Sequence, residues 1–399
     1  MKVLIVQLVP PSHAPDRPRF SHALGVAVAA MKRAGLDVAL TAMAEYDPRR
    51  LRSAINHHRP SHMVADLPPT RATAARHTVV DVAEKHFLPV VLVGRYPTCQ
   101  SEEAISIPGV AAIIRGEYDR ALPRLLTAMA GQTSSAGDVP GVWLNSAEGL
   151  RRNDPDPPAP DLDALGHPDR EIFDYARTVE ADREVAFAAS RGCRNWCAHC
   201  LNDWYLTLCG NDCWLRRRSV SDLLDEVAAV TQRYPGGETV AFDDHAFATD
   251  VQWLEEFAEA YSRRCPLPYR CHVCLNALDP RTPEMLAGSG CRMADVEIGS
   301  GSNFIRQDVL TMRTTGRQII DGAAALKNAG IKVRGSVFVG MPYESEVSVE
   351  ETLDLLVRLK LDAVRPRVFF PIPGTRAMDI CAENGWISGR GERGYYDRH

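Results

Sequence analysis

Ser190-Arg-Gly-Cys-Arg-Asn-Trp-Cys-Ala-His-Cys200 places Cys193, Cys197 and Cys200 at the spacing C-x3-C-x2-C. The segment follows residues 184–189, a short apolar run that predicts a β-strand. Three thiolates this close together can hold three irons of a four-iron, four-sulfur cluster, which is usually ligated by four cysteines. The spacing therefore predicts a cluster that is either completed from elsewhere in the chain or open at its fourth iron for a small molecule.

Two other states of these cysteines are open from the spacing alone. Structural zinc prefers paired C-x2-C or mixed Cys and His sets, and His199 or Cys209 would then supply the fourth ligand. Disulfides are less expected, because the chain begins Met-Lys-Val-Leu-Ile-Val, which predicts a strand and no signal peptide. We therefore expect a cytoplasmic protein, in which thiols stay reduced.

The composition narrows the class of protein and of partner. The chain has 399 residues, a net charge of -5 and 45% hydrophobic residues, which suits two or three domains with sizeable cores. Near-neutral charge gives no sign of a nucleic-acid partner or an anionic membrane. No apolar run approaches the ~20 residues that a membrane span requires. We therefore expect a small-molecule substrate and neither nucleic acid nor membrane.

Residues 1–130 alternate predicted strands and helices, the pattern of a doubly wound parallel sheet with a Rossmann-like topology. Such sheets bind ligands in the crevice beyond the carboxyl ends of their strands. The loops after Val9, Leu67, Val93 and Arg115 are predicted to line that crevice.

The rest of the chain divides by composition into a linker, a second α/β domain and a tail. Residues 131–182 include the proline-rich, extended stretch 153–160, with a short edge strand predicted at 142–144. Residues 183–380 contain six strand–helix units, which predict a partial (β/α)6 TIM-type barrel, and residues 381–399 form the C-terminal tail. Barrel sites lie at the carboxyl ends of the strands, and the cysteines follow the first barrel strand.

The cysteine motif and four later strand ends together resemble the radical S-adenosylmethionine (SAM) superfamily. The supporting segments occur in the order in which that superfamily uses them. They are Phe242-Asp-Asp-His-Ala-Phe247, Val296-Glu-Ile-Gly-Ser-Gly-Ser302, Val337-Phe-Val-Gly-Met-Pro-Tyr-Glu344 and Phe370-Pro-Ile-Pro-Gly-Thr375.

The first half of the chain resembles the cobalamin-binding branch of this superfamily. The segments that carry the resemblance are Val91-Leu-Val-Gly-Arg-Tyr-Pro-Thr98, the stretch 109–117, and Pro160-Asp-Leu-Asp-Ala-Leu-Gly-His-Pro-Asp-Arg170 in the linker. The Asp-x-His-x-x-Gly motif of histidine-ligated cobalamin proteins is absent from the sequence, so no lower axial ligand is assigned. The resemblance implies that cobalamin is cradled by Gly25, Thr70, Gly94, Tyr96, Thr98, Gly116 and Glu117.

The resemblance also implies a set of SAM contacts, while no catalytic residue is assigned. The cysteines hold a [4Fe-4S] cluster whose open iron binds the amino and carboxylate groups of SAM. The implied contacts are His199 against the adenine, Asp243 near the amino group, Ser300 at the ribose, Arg313 at the carboxylate, and Gly340 beside the adenine. Simple structural roles are open for three of them: a loop histidine, a helix-capping aspartate and an exposed arginine.

Two positions depart from the pattern of the relatives, and a further cysteine pair remains. Gly299 stands where relatives carry a glutamate, and Glu297, two residues earlier, lies on the same face of the strand. Asn276 stands where an arginine is frequent. Cys271 and Cys274 have a metal-ligand spacing, but a strand there would turn them to opposite faces, so we expect buried cysteines and no second metal site.

The resemblance implies a cobalamin-dependent radical SAM enzyme that cleaves SAM to a 5′-deoxyadenosyl radical. The reaction expected is methylation of an unactivated carbon, or of phosphorus, in a small metabolite, with electrons from a flavodoxin or ferredoxin-type donor. Cobalamin-assisted cyclisation, rearrangement or oxidation is the alternative within this class. A non-catalytic corrinoid-binding sensor and a zinc-binding interaction module are the alternatives outside it.

Overall fold

The computed structural model describes residues 1–9, 18–68, 72–131, 135–209 and 214–387. In its first half, strands and helices alternate along the chain and the strands form one sheet, as the sequence predicts. The strands are β1 (Lys2–Leu8), β2 (Asp37–Met43), β3 (His62–Asp66), β4 (Val90–Val93) and β5 (Val110–Ile114). The helices are α1 (His22–Arg33), α2 (Pro48–His58), α3 (Ala72–His86), α4 (Arg95–Cys99), α5 (Ser101–Ile105) and α6 (Ala121–Met129).

These five strands are parallel, in the order β2-β1-β3-β4-β5. They are buried on both faces, because each face is covered by helices and forms its own apolar core. The strand order reverses between β1 and β3, which places the crevice of a doubly wound sheet at their carboxyl ends.

Two further strands extend the sheet beyond the predicted domain. The edge strand expected at 142–144 is present as β6 (Val142–Ser146), and it is followed by β7 (Gly149–Arg152). Both run antiparallel to their neighbours and bring the sheet to 7 strands. The first part of the predicted linker is therefore joined to the N-terminal sheet by backbone hydrogen bonds.

The second half forms an open barrel-like sheet with 6 parallel strands. Its strands are β8 (Glu184–Phe187), β11 (Thr239–Phe242), β12 (Tyr269–His272), β13 (Cys291–Gly299), β14 (Lys332–Val339) and β15 (Ala363–Val368), with a short hairpin of β9 (Ser190–Arg191) and β10 (Arg216–Arg217) beside β8. The helices are α7 (Tyr175–Asp182), α8 (Asn202–Cys209), α9 (Val220–Arg233), α10 (Val251–Arg264), α11 (Thr282–Gly288), α12 (Gly316–Asn328), α13 (Glu346–Leu359) and α14 (Arg376–Glu383).

The order β15-β14-β13-β12-β11-β8 leaves the barrel open between its first and last strands. Along each strand, one set of side chains faces the helices and packs into a core rich in aromatic rings, such as Phe242, Phe257 and Tyr269. The other set faces the barrel lumen, since side chains alternate along a strand. Capping boxes at Thr315 and Ser345 fix the starts of α12 and α13.

None of the helices in the described ranges combines the length and the apolar character that a membrane span requires.

Candidate functional site

The cysteine segment forms a loop between β9 and α8 that is held in place on several sides. The Ala198 backbone N–H donates to the Leu310 carbonyl (2.8 Å). The Asn202 amide donates to the carbonyls of Cys193 (2.9 Å) and Asn195 (2.8 Å). The loop is therefore shaped by backbone and amide contacts, which leaves its three thiols available as ligands.

The three thiols lie near enough to raise one another's pKa, but they do not converge on a single metal position. Burial, then Cys200 and Cys193, raise the pKa of the Cys197 thiol to about 12, and burial raises the pKa of Cys193. Among the described residues, no three Cys, His, Asp or Glu side chains are close enough to share one metal ion. A structural zinc needs such convergence, whereas a four-iron cluster takes each thiolate on a separate iron. The donor set therefore fits a cluster better than a single zinc ion.

The thiols open into a cavity of about 360 Å³ between the two domains. Arg95, at the start of α4, is contributed by the N-terminal domain, and the remaining lining comes from the second domain. Besides the three cysteines, the lining includes His199, His245, His272, Cys274, Glu297, Phe338 and Arg367. A cavity of this size, apolar in part and with convergent polar groups, has the character of a ligand site.

His199 lies in this cavity with one ring nitrogen unpaired. Its ring meets Phe338 edge to face, with centroids 4.9 Å apart, and its Nδ1 atom is buried without a hydrogen-bond partner among the described residues. Burial lowers the pKa of His199 to about 4, so the ring is neutral. A buried polar atom without a hydrogen bond destabilises the folded state, and a ligand that bonded to His199 Nδ1 would remove this cost.

The two aspartates at the end of β11 have different partners. The Asp243 carboxylate accepts from Arg270 (3.0 Å). Asp244 is buried and accepts from the Ala189 backbone N–H (2.8 Å) and the Ser190 hydroxyl (2.8 Å). Asp244 thus ties the end of β11 to the start of the cysteine loop, a structural role.

The other residues predicted to contact SAM lie outside the described lining of this cavity. Ser300 is buried and its hydroxyl lies 3.2 Å from that of Thr352. Arg313 is exposed, and the Gly340 backbone N–H donates to Glu344 (2.5 Å). Their predicted SAM contacts therefore remain proposals.

The residues predicted to contact cobalamin include three that lie around the carboxyl ends of β4 and β5. The segment 94–98 was expected as a loop, but its residues from Arg95 onward form α4. The Thr98 hydroxyl donates to the Gly94 carbonyl (2.7 Å) and accepts from the Gly116 backbone N–H (3.1 Å). Gly116 has a φ of +85° and open space where a side chain would stand, which permits close approach of a ligand.

The remaining predicted cobalamin residues lie against protein, and Thr70 falls outside the described residues. Tyr96 is 2% exposed within an apolar core. A Cβ atom on Gly25 would come within 2.7 Å of the Pro168 Cβ, so this glycine permits the linker to pack on α1. The Glu117 carboxylate accepts from Arg216 (2.5 and 3.0 Å).

The Glu117 contact belongs to a pair of ion pairs between the domains, which we call the interdomain clasp. Its second member joins Arg191 of β9 to Asp119 (2.5 Å). Burial opposes ionisation of Glu117, but Arg216 and Arg191 together hold the pKa of its carboxyl below the usual value. Because Arg191 lies two residues before Cys193, the clasp connects the end of β5 with the cysteine loop.

Several lining residues escaped the sequence analysis. The strand β12 ends at His272, so Cys274 lies beyond it and lines the cavity, contrary to the buried-strand expectation. Cys271 is fully buried as expected. His245 and His272 lie with ring centroids 4.7 Å apart. The sequence offered one indication that His245 lines the cavity, namely its position directly after the two aspartates at the end of β11.

The second domain matches the model of a known protein family. The model of the Radical SAM superfamily matches residues 188–356. These residues form a radical SAM domain. The match begins at the carboxyl end of β8, includes the cysteine loop and continues into α13, so the predicted class is confirmed.

Solved structures share the whole arrangement of the N-terminal sheet and the radical SAM domain. The methyltransferase TsrM from Kitasatospora setae, with cobalamin and a [4Fe-4S] cluster bound, has a TM-score of 0.73 at 16% identity, over 96% of this chain and 78% of its own. The cobalamin-dependent enzyme OxsB, with aqua-cobalamin and SAM bound, has a TM-score of 0.72 at 15% identity, over 100% of this chain and 56% of its own. These likenesses confirm the predicted fold class.

Two curated relatives are methyltransferases. An uncharacterised methyltransferase of Pyrococcus horikoshii is 23% identical over 302 residues, which are 75% of this chain and 64% of that protein. Cytidylyl-2-hydroxyethylphosphonate methyltransferase of Streptomyces wedmorensis is 22% identical over 50% of this chain and 37% of its own length. The matched regions thus span less than two thirds of either relative.

Proposed function

We propose that this protein is a cobalamin-dependent radical SAM enzyme that methylates an unactivated carbon, or phosphorus, of a small metabolite. The observation that carries the proposal is the cavity between the domains, which the three thiols of the radical SAM domain share with Arg95 of the N-terminal domain. A ligand held by the N-terminal sheet and a ligand held at the cysteines would meet in that cavity.

The described residues fit a [4Fe-4S] cluster with SAM beside it. Cys193, Cys197 and Cys200 supply three thiolates, and the cavity beside them has room for a further ligand of the fourth iron. Two buried polar atoms in the lining, His199 Nδ1 and Glu297 Oε1, lack partners among the described residues. Both are suited to the polar groups of a bound nucleoside, and they support His199 as a SAM contact.

The fit to cobalamin rests on the N-terminal sheet. Its parallel strands present their carboxyl ends and the open position at Gly116. We propose that Gly116, together with Thr70, is the part of the predicted set that meets the cofactor. Gly94 and the buried Thr98 hold the loop beside Gly116 in place. Gly25, Tyr96 and Glu117 would act indirectly, by shaping the domain and its junction with the barrel.

When bound, the cluster supplies the electron that cleaves SAM to a 5′-deoxyadenosyl radical, and cobalamin supplies the methyl group. The protein orients these groups and excludes water. The cysteine loop presents His199 to the cavity and the strand β13 presents Glu297. The clasp sets the position of the cysteine loop relative to the N-terminal sheet. Methyl transfer is supported by two of the curated relatives, whose names describe them as methyltransferases.

We further propose a flavodoxin or ferredoxin-type electron donor and a reducing compartment, the cytoplasm. The support is chemical, because the cluster needs a one-electron donor and free thiolates. The nine cysteines that the structure describes with their side chains are all free.

Anaerobic reconstitution with iron, sulfide and hydroxocobalamin tests this function. We expect about four irons and one cobalamin per chain, and 5′-deoxyadenosine from SAM under reducing conditions. With SAM labelled in its methyl group and a small-molecule cell extract, the label should appear in a metabolite. Zinc without iron would support an interaction module, and corrinoid binding without SAM cleavage would support a sensor. Radical cleavage without label transfer would favour cyclisation, rearrangement or oxidation.

A further inference from the structure

The barrel lumen is lined by both small and charged side chains. On β8 and β11 the lumen-facing positions include the small residues Ala186 and Ala241, with Glu184 at the start of β8. On β12 to β15 they are charged, because the lumen-facing positions include Arg270, Asp295 and Arg334. We call the charged positions of β12 to β15 the charged wall of the lumen.

The deeper arginines of this wall are both held by carboxylates. Arg270 donates to Glu184 (2.9 Å) and to Asp243 (3.0 Å). Arg334 donates to Asp295 with two hydrogen bonds, of 2.5 and 2.8 Å. Two guanidiniums thus share three carboxylates, and no positive charge is left over at this depth.

The arginines nearer the cavity make fewer hydrogen bonds to the protein. Arg365 pairs in register with Ser336, and Arg367 pairs with Phe338, which places both guanidiniums further toward the carboxyl ends of the strands. Arg367 lies 4.0 Å from Glu297, at the limit of an ion pair. Arg365 has no hydrogen bond or ion pair with any residue that the structure describes. Arg365 interacts at longer range with Asp295. Arg367 lines the cavity and its side chain is 46% exposed, so its N–H donors are available to a ligand.

Across the lumen, four guanidiniums face four carboxylates, so what distinguishes Arg367 is its available donors and not an excess of positive charge. Burial raises the pKa of Glu297 to about 7, so its carboxyl is only partly ionised at neutral pH. Burial lowers the pKa of Arg365, and repulsion from Arg334 adds to this. Burial lowers the pKa of His245 and of His272, two histidines of the cavity, so these rings offer hydrogen bonds without charge.

We propose that Arg367, with Arg365 beside it, binds a carboxylate or phosphoryl group of the substrate in the barrel lumen. A guanidinium matches the geometry of either anion with two parallel hydrogen bonds. That the anion belongs to a substrate rests on the proposed function. The carboxylate of SAM has the same chemistry, so the experiment must separate the two sources.

Equilibrium dialysis of radioactive inorganic phosphate against the reconstituted protein, with and without SAM, tests the proposal. The variants are Arg367→Gln and Arg365→Gln. The matched control is Arg317→Gln, since Arg317 is 84% exposed on the outer helix α12 and its ion-pair partner among the described residues is Asp321. Thermal unfolding of each variant shows whether it is folded, and Arg365→Gln is the second test if Arg367→Gln unfolds.

We expect saturable phosphate binding in the native protein and in the control, unchanged by SAM. We expect at least tenfold weaker binding in Arg367→Gln and a smaller loss in Arg365→Gln. The proposal would be overturned if the native protein bound no phosphate. It would also be overturned if Arg367→Gln and the control bound phosphate equally. Displacement of phosphate by SAM would also overturn it, because the guanidinium would then serve SAM.

The same dialysis on protein without iron separates this proposal from the proposed function. If reconstitution with iron and sulfide yields no cluster, but phosphate binding still depends on Arg367, the radical SAM chemistry is refuted and the anion site is kept. A chain that assembles the cluster and cleaves SAM, but binds no phosphate at Arg367, would keep the chemistry and refute the anion site.

Discussion

Glu117, after the last parallel strand of the N-terminal sheet, accepts two hydrogen bonds from Arg216 on the hairpin beside the cysteine loop. The Arg216 side chain is 7% exposed and that of Glu117 is 15% exposed. This buried contact joins the domain proposed to hold cobalamin to the segment proposed to hold the cluster. The relative position of the two cofactor sites therefore depends on it.

Replacing Glu117 by Gln should loosen this junction. Removing one charge of a buried pair leaves the other uncompensated, so we expect a loss of about 3 kcal/mol in the free energy of unfolding. The matched control is Glu102→Gln, which breaks an exposed pair with Arg152 and should cost about 0.5 kcal/mol. Denaturant unfolding measures both, and equal losses would show that the clasp contributes little.

Stability should fall in acid through Glu226. Despite burial, Arg170 and Arg218 lower the pKa of Glu226 to about 2, from 4.5. A depressed carboxyl pKa stabilises the native state above the unfolded value, and this contribution is lost as pH falls from about 4.5 to about 2. In denaturant unfolding, the native protein should lose about 3 kcal/mol more than Glu226→Gln across that window. Parallel pH profiles would contradict the assignment.

Cys274 should be dispensable for the cluster although it lines the same cavity. Its thiol donates to the His245 carbonyl (3.0 Å), and the loop contacts that shape the ligand set act on the other three cysteines. Cys274→Ala should retain the iron content and visible absorbance of the native protein after reconstitution, whereas Cys193→Ala should lose both. Loss of iron in Cys274→Ala would make it a fourth ligand.

His199→Ala should weaken SAM binding by up to about tenfold, the scale of one aromatic contact. Removing the ring also removes the unpaired Nδ1 atom that a ligand would satisfy. His57→Ala is the control, since His57 is exposed on α2. Equilibrium dialysis of SAM with the reconstituted proteins measures the effect. Equal affinities in the two variants would assign His199 to packing against Phe338.

The parts of the fold that could be predicted are those with a local signal. The apolar runs at β1 and β4 predict buried parallel strands, and the cysteine spacing predicts the position of the site. The helix α4 was missed because Gly94 and Pro97 read as turn residues, although proline is tolerated in the first turn of a helix. The strand β7, Gly-Leu-Arg-Arg, is short and polar, so it carries no strand pattern.

The charged wall of the lumen could not be predicted, because it depends on the register of neighbouring strands. Asp295 meets Arg334 and Ser336 meets Arg365 only when β13, β14 and β15 align in parallel. His272 and Arg367 are likewise far apart in sequence and share the cavity through the curvature of the barrel. A single sequence shows which side chains alternate along one strand, but it does not show which residues of neighbouring strands lie side by side.

The central claim is tested most directly by SAM cleavage in alanine variants of Cys193, Cys197 and Cys200, each reconstituted anaerobically and reduced. Cys381→Ala is the control, because Cys381 is buried at the C-terminal helix outside the described lining of the cavity. We predict 5′-deoxyadenosine from the native protein and from the control, and none from the other three variants. Undiminished cleavage in any one of those three would contradict a cluster held by these thiols.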